Sequence, residues 1–241
     1  MKFEDLFPYS FKSLRRDYGI PEPSKVGLIE SCRSNDSDLC REMVAAPFCL
    51  TERQMLHAAE RYLLGKSRSG KTIYWMIDRD DRCLDGHIGN GSYTADTWVS
   101  TLLINRFPKH FQFPPIRHCL FGLHLLQEKG EKVAIVESER TAVILSELFP
   151  DFTWLASVYP MNLSPDNLEP LQGHEVTLFP RTDTTMTTYL SWQDTADLAR
   201  PRCHLDITVD DTLEKHASDG QKERGFDLLD FICDSHHGCD P

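Results

Sequence analysis

Lys132-Val133-Ala134-Ile135-Val136-Glu137-Ser138-Glu139-Arg140-Thr141-Ala142 decides the fold class. Val133 to Val136 is an unbroken apolar run, as in a strand buried on both faces, and a sheet covered twice is typically parallel with helices on either side. Glu137 ends the run. From Arg140 to Leu148, Ala142, Leu145 and Leu148 then recur at helical spacing, so strand is followed directly by helix.

Downstream the same grammar repeats. Phe152 to Ala156 predicts a second buried strand, Asn167 to Leu171 a short helix or turn, and Val176 to Phe179 a third strand. A helix is expected over about 185–199. Cys203, Leu205, Ile207 and Val209 alternate with His204, Asp206, Thr208 and Asp210, which predicts a half-exposed edge strand. Phe226, Leu228, Leu229 and Ile232 close the chain with an amphipathic helix. Strand-helix-strand units of this length give an α/β fold with a parallel sheet flanked by helices and right-handed crossovers, whose ligands bind beyond the carboxyl ends of the strands.

Upstream the pattern differs. Thr51-Glu52-Arg53-Gln54 is a capping box opening an amphipathic helix over about 52–64, with Gly65 suited to its C-terminal cap. Thr72-Ile73-Tyr74-Trp75-Met76-Ile77 predicts a strand and Asp78-Arg79-Asp80-Asp81 a turn, so a hairpin or small sheet is expected across 72–104. Asn90-Gly91-Ser92 marks another turn, Trp98 to Ile104 resumes apolar character, and Phe107 to Pro115 is broken by proline. Pro8, Pro21, Pro23 and Pro47 suggest an irregular arm. The expected organisation is an arm over 1–50, a small α+β region over 51–117, the parallel-sheet domain over 118–235 and a tail over 236–241.

The 241 residues carry 26 basic and 37 acidic side chains, a formal -11. That balance excludes a chain sheathed in phosphate-binding charge. At 40% hydrophobic and 26% charged the composition is globular. No stretch approaches the roughly 18 apolar residues of a membrane helix, and Met1-Lys2-Phe3-Glu4-Asp5 lacks a signal peptide's order, so a soluble cytoplasmic protein without membrane contact is expected. The eight cysteines contain no C-x-x-C pair; they are expected to be reduced structural thiols, with no zinc. His236-His237-Gly238-Cys239 reads as a frayed tail, and His110, His118 and His124 as structural.

Gly65-Lys66-Ser67-Arg68-Ser69-Gly70-Lys71-Thr72 matches the phosphate-loop pattern G-x-x-x-x-G-K-[ST] literally. Its mechanism needs a strand before the loop and a helix after it. Here a helix precedes and a strand follows, so no nucleotide cofactor is expected. Lys66, Arg68 and Lys71 nevertheless form a local positive patch able to touch a nucleic-acid backbone. Tyr74 and Trp75 beside it, and Phe107, Phe111 and Phe113 around Lys109 and His110, are stacking candidates if exposed; core packing is the plainer expectation for Tyr74 and Trp75.

Glu137 follows the first strand of the parallel sheet, and Asp183 follows the third through Pro180-Arg181-Thr182. Facing one crevice, they would be magnesium ligands for phosphoryl transfer. As ordinary strand-end residues they would be helix caps. Both readings stand on spacing alone.

Lys132 to Ala142, followed by Phe149-Pro150-Asp151-Phe152-Thr153-Trp154-Leu155-Ala156 and Val176-Thr177-Leu178-Phe179-Pro180, resembles the Toprim-like domain of primase-related proteins. With the helix at 51–64, the Ile73 to Asp78 segment and Cys119-Leu120-Phe121-Gly122, the similarity over about 50–233 is to accessory proteins of mobilisable transposons. The resemblance implies a metal-binding glutamate after the first strand, which Glu137 matches, and a D-x-D pair after the third. Arg181-Thr182-Asp183 stands at that pair, so its first aspartate is an arginine, which can neither ligate nor lose its proton. Asp183 is then free to pair with Arg181, and Arg140 and Arg181 become phosphate contacts. The cysteine-histidine zinc module of many primases is lacking in this sequence.

Three functions follow. The first expectation is a mobile-element protein in DNA replication, mobilisation or transposition that binds DNA, RNA or a replication or transfer partner, with metal-dependent catalysis weakened or lost. The second is an active Mg-dependent primase-like or nuclease-like enzyme using Glu137 and Asp183. The third is a P-loop triphosphatase using Lys71.

Overall fold

The computed structural model describes residues 29–30, 32–89, 97–99, 101, 118–127, 129–159 and 162–237. The expected turn at 90–92, the aromatic segment 107–115, most of the arm and residues 238–241 lie outside them. The chain divides at Cys119/Leu120 into two units.

In the first unit, α1 (Asp38–Val44) and α2 (Glu52–Arg61) accompany β1 (Gly65–Lys66), β2 (Thr72–Ile77), β3 (Cys83–Gly89) and β4 (Thr97–Trp98). The strands form an antiparallel sheet in that order. α2 starts where its capping box requires, with Thr51 Oγ1 accepting from Gln54 N at 3.3 Å and Gln54 Oε1 from Thr51 N at 3.1 Å. Its C-terminus differs from expectation. The helix ends at Arg61, Leu63 takes the left-handed turn at φ 52°, and Gly65 enters β1, where a Cβ would stand 3.1 Å from Ile73 Cβ and from Trp75 Nε1.

Within the arm expected to be irregular over 1–50, Asp38–Val44 is instead the helix α1. Ser37 caps it, and Thr72 across the sheet pins it: the Leu39 amide donates to Thr72 Oγ1 at 3.0 Å, and Thr72 donates to Ser37 Oγ at 3.0 Å. The Asp38 amide also donates to Gly70 O at 2.8 Å. The phosphate-loop look-alike is therefore a hairpin connection from β1 to β2, with Gly70 O and the Thr72 hydroxyl spent on a helix start. Tyr74 and Trp75 are buried in this sheet.

The second unit holds β5 (Lys132–Val136), α3 (Glu139–Leu148), β6 (Thr153–Ala156), α4 (Pro165–Leu168), β7 (Glu175–Leu178), α5 (Thr187–Cys203), β8 (Asp206–Val209), α6 (Thr212–His216), α7 (Asp219–Arg224) and α8 (Leu228–His237). Its sheet is parallel throughout, ordered β6-β5-β7-β8. The α/β class, the parallel sheet with flanking helices and the small antiparallel sheet before it are as the sequence predicts.

Val133 to Val136 are buried, as are Val143, Ile144 and Leu145 of α3, which packs on β6. Each valine, isoleucine and leucine among them contributes about 1.5–3 kcal/mol by leaving water. β8 lies at an edge, with Ile207 in and Asp206 and Thr208 out. Cys203 and His204 do not join it, because α5 runs on through Cys203 and His204 makes the left-handed exit at φ 51°.

α8 begins at a reciprocal pair, Asp227 Oδ1 accepting from Asp230 N at 2.9 Å and Asp230 Oδ2 from Asp227 N at 3.3 Å. It packs on α3. The helix extends through His237, so the first two residues of the tail expected over 236–241 are helical. The seven described cysteines are all free thiols. Burial, then the charge of Asp78, pushes the Cys119 thiol up to about 12. Among the described residues no helix is long and apolar enough to cross a membrane.

Candidate functional site

The second unit concentrates its unusual geometry at the carboxyl end of the parallel sheet. Beyond the last ladder residues, Ser157 N donates to Val136 O at 2.9 Å and Val158 N to Glu137 O at 2.8 Å, which binds Glu137 to the end of β6. Val158 does this at φ 67°, a left-handed conformation that a β-branched residue rarely adopts. Ser157 Oγ beside it is buried without a hydrogen bond among the described residues. Local strain and unmet polar groups of this kind gather at functional sites.

Glu137 is 5% exposed. Arg181, in the segment after β7, brings its Nε to 3.2 Å from Glu137 Oε2. Oε2 has this charge beside it but no hydrogen bond, because the N–H is not aimed along the contact. Arg181 thus pairs with Glu137, and the Asp183 pairing weighed from sequence is not formed.

Asp183 is committed elsewhere. Its Oδ1 accepts from Thr185 N at 2.9 Å, Thr185 Oγ1 at 2.7 Å and Thr187 N at 3.0 Å, and its Oδ2 from Thr188 N at 2.9 Å. Partial burial would raise its pKa, but the Thr188, Thr185 and Thr187 donors outweigh it and hold the carboxyl well below the usual range. Asp183 does an N-cap's work for α5.

Between the two, Thr182 is fully buried and clamped. Its hydroxyl donates to Glu214 Oε1 of α6 at 2.9 Å, and its amide to Phe226 O at 2.9 Å. Lys222 Nζ of α7 sits 3.6 Å from Glu214 Oε2 and donates to Glu214 O at 3.0 Å. Sequence reasoning missed this clamp. Thr182 and Glu214 are 32 residues apart, and no local pattern links them.

These residues do not fit a resident magnesium ion. One of the two carboxylates already faces a guanidinium, the other is filled by four donors, and among the described residues no group of three or more His, Cys, Asp or Glu could hold a metal.

Of the remaining sequence candidates, Arg140 belongs to the second unit, whereas Lys66 ends β1 and Arg68 and Lys71 lie in the β1–β2 connection of the first. Arg140, on α3, acts electrostatically on Asp230, where burial and then the Asp227 charge raise the carboxyl above its usual range and Arg140 opposes them. Lys66 Nζ contacts Asp36 Oδ2 at 2.5 Å; with Arg41 also on Asp36, that carboxyl is held low. Arg68 lies in the turn of the β1–β2 connection and Lys71 follows it, directly before β2. His118 stacks on Trp98 at 3.9 Å between ring centroids and lies 3.4 Å from Asp85 Oδ2, a structural setting.

Charge divides sharply between the units. Residues 120–241 carry 9 Lys and Arg against 22 Asp and Glu, a formal -13, whereas residues 1–119 carry 17 against 15, or +2.

The fold is shared with known proteins. The DnaG catalytic core superposes with a TM-score of 0.50 at 13% identity, covering 88% of this chain and 82% of that one. The E. coli primase catalytic core gives 0.50 at 14%, covering 87% and 81%. The primase fragment of the bacteriophage T7 primase-helicase protein gives 0.45 at 14%; there 66% of this chain matches, and it spans only 60% of that one's length. No protein of curated function matches the sequence. The fold is therefore that of the DnaG and E. coli primase catalytic cores. Residues 40–182, running from α1 through the segment after β7, match one family model, and the chain belongs to the family described as "Domain of unknown function (DUF6371)".

Proposed function

We propose that this chain is a primase-like module of DNA replication, mobilisation or transposition that works by binding, with its metal-dependent chemistry lost or weakened. The observation that carries the proposal is the Arg181–Glu137 pair: a permanently charged guanidinium lies where a divalent ion would be expected to neutralise a buried carboxylate. Asp183, bound into a helix start, cannot offer the second ligand without uncapping α5.

Nucleic acid, in this reading, is contacted by the first unit. Its balance is slightly positive, and Lys66, Arg68 and Lys71 surround one hairpin connection. The second unit's -13 repels a polyanion, so Arg140 and Arg181 act chiefly within the protein. Replication or transfer proteins of a mobile element are the proposed partners.

The test combines two measurements on the full chain. Single-stranded DNA binding should survive EDTA unchanged, and magnesium or manganese should support neither primer synthesis nor strand cleavage. Metal-dependent synthesis or cleavage that turns over many times per chain and disappears in Glu137→Ala overturns the proposal. One observation favours that second reading, Mg-dependent phosphoryl transfer: Glu137 Oε2 has no hydrogen bond and would be free to ligate if Arg181 swung away.

A further inference from the structure

The outer face of α5 has no role in the crevice, and its composition is unusual for a solvent-facing helix. Trp192, Ala196, Ala199 and Cys203 recur at helical spacing and turn inward. On the opposite side, at about 100° per residue, Leu190, Asp194, Asp197 and Leu198 share one stripe, preceded by Met186 at the helix start. Met186, Leu190 and Leu198 are 39%, 52% and 64% exposed. They are half of the large apolar side chains exposed among the described residues, two on α5 and one at its N-cap. Such clustering marks an interaction surface where a scattered leucine would not.

The charges around the stripe select its partner. Asp194 is exposed and has no ion pair among the described residues. The nearby cations are spent: Arg200 donates to Asp197 at 2.7 Å and to Ile207 O at 3.0 Å, and Arg202 pairs with Asp166. With a unit balance of -13, nucleic acid is repelled, and a second copy would bring the same negative charge. We infer that this face docks a basic amphipathic helix of a partner protein, whose apolar side chains cover Leu190 and Leu198 while a lysine or arginine meets Asp194. The inference stands independently of whether Glu137 holds a metal.

The test measures fluorescence anisotropy of a labelled helical peptide of about 18 residues, roughly five turns, with leucines along one face and lysines along the other, mixed with the full chain. Two control peptides carry glutamate in place of lysine, or the same composition scrambled so that the leucine stripe is lost. The lysine peptide should bind, and both controls should bind at least about tenfold more weakly. Leu190→Ser with Leu198→Ser should cost a further tenfold or so, with an unchanged circular dichroism spectrum because both side chains are exposed. Asp194→Lys, which removes no apolar contact, should weaken the lysine peptide and strengthen the glutamate one. Equal binding of the scrambled peptide, or affinity unmoved by these substitutions, overturns the inference. So does a dimer in light scattering that dissociates in Leu190→Ser, which would give the face to a second copy.

Discussion

At the scale of single residues, the crevice is governed by one exchange of partners. Arg181 serves Glu137, so Arg181→Ala should leave a buried carboxylate uncompensated and lower stability by about 1–3 kcal/mol, less than for a fully buried pair because the guanidinium is half in water. Urea titration checks this, and adding Glu137→Gln should restore part of the loss. Asp183 makes a different prediction. Its folded pKa lies below the unfolded value of about 3.9, so its contribution is present above that value and lost as pH falls through the depressed folded one. Asp183→Ala should cost about 1 kcal/mol at pH 7. The gap from the wild type should close progressively below about pH 4, as thermal melts across a pH series would show.

Among elements, the β2–β3 hairpin depends on Gly86. A Cβ there would stand 2.7 Å from the Trp75 ring and 2.9 Å from Val99. Gly86→Ala should therefore destabilise by about 1–3 kcal/mol through overpacking, measurable by chemical denaturation with the Trp75 fluorescence as probe. Most elements were legible in sequence because apolar spacing is itself the packing instruction. Val133 to Val136 could be nothing but buried, and the Thr51 box states where α2 starts. α1 was not legible, since what holds it is a hydroxyl at Thr72, more than thirty residues on. The crevice was half legible for the same reason. Glu137, Arg181 and Asp183 could be placed at strand ends by counting, but which of the two acids Arg181 would choose was settled by three threonine residues around Asp183 and by the Thr182–Glu214 clamp.

Across the whole molecule, the unequal division of charge sets how the protein meets polyanions. If nucleic acid reaches the first unit, Arg68→Glu with Lys71→Glu should weaken single-stranded DNA binding and flatten its dependence on salt by about 0.7 per lost contact. Arg181→Ala should leave that slope unchanged. Filter binding or anisotropy over a range of salt concentrations distinguishes the two. Composition alone gave the net -11 but hid its partition, because a sum over the chain cannot reveal where two units divide.

The anchoring of Thr182 to Phe226 has a temporal side. During synthesis, β5, β6 and β7 leave the ribosome well before the residues that fasten the segment carrying Arg181. Glu137 must therefore wait, beside a tether not yet tied, until α6 and the start of α8 have emerged. A nascent chain ending just short of Phe226 would hold all four strands of the parallel sheet, β8 included, with the Thr182 amide still lacking its acceptor.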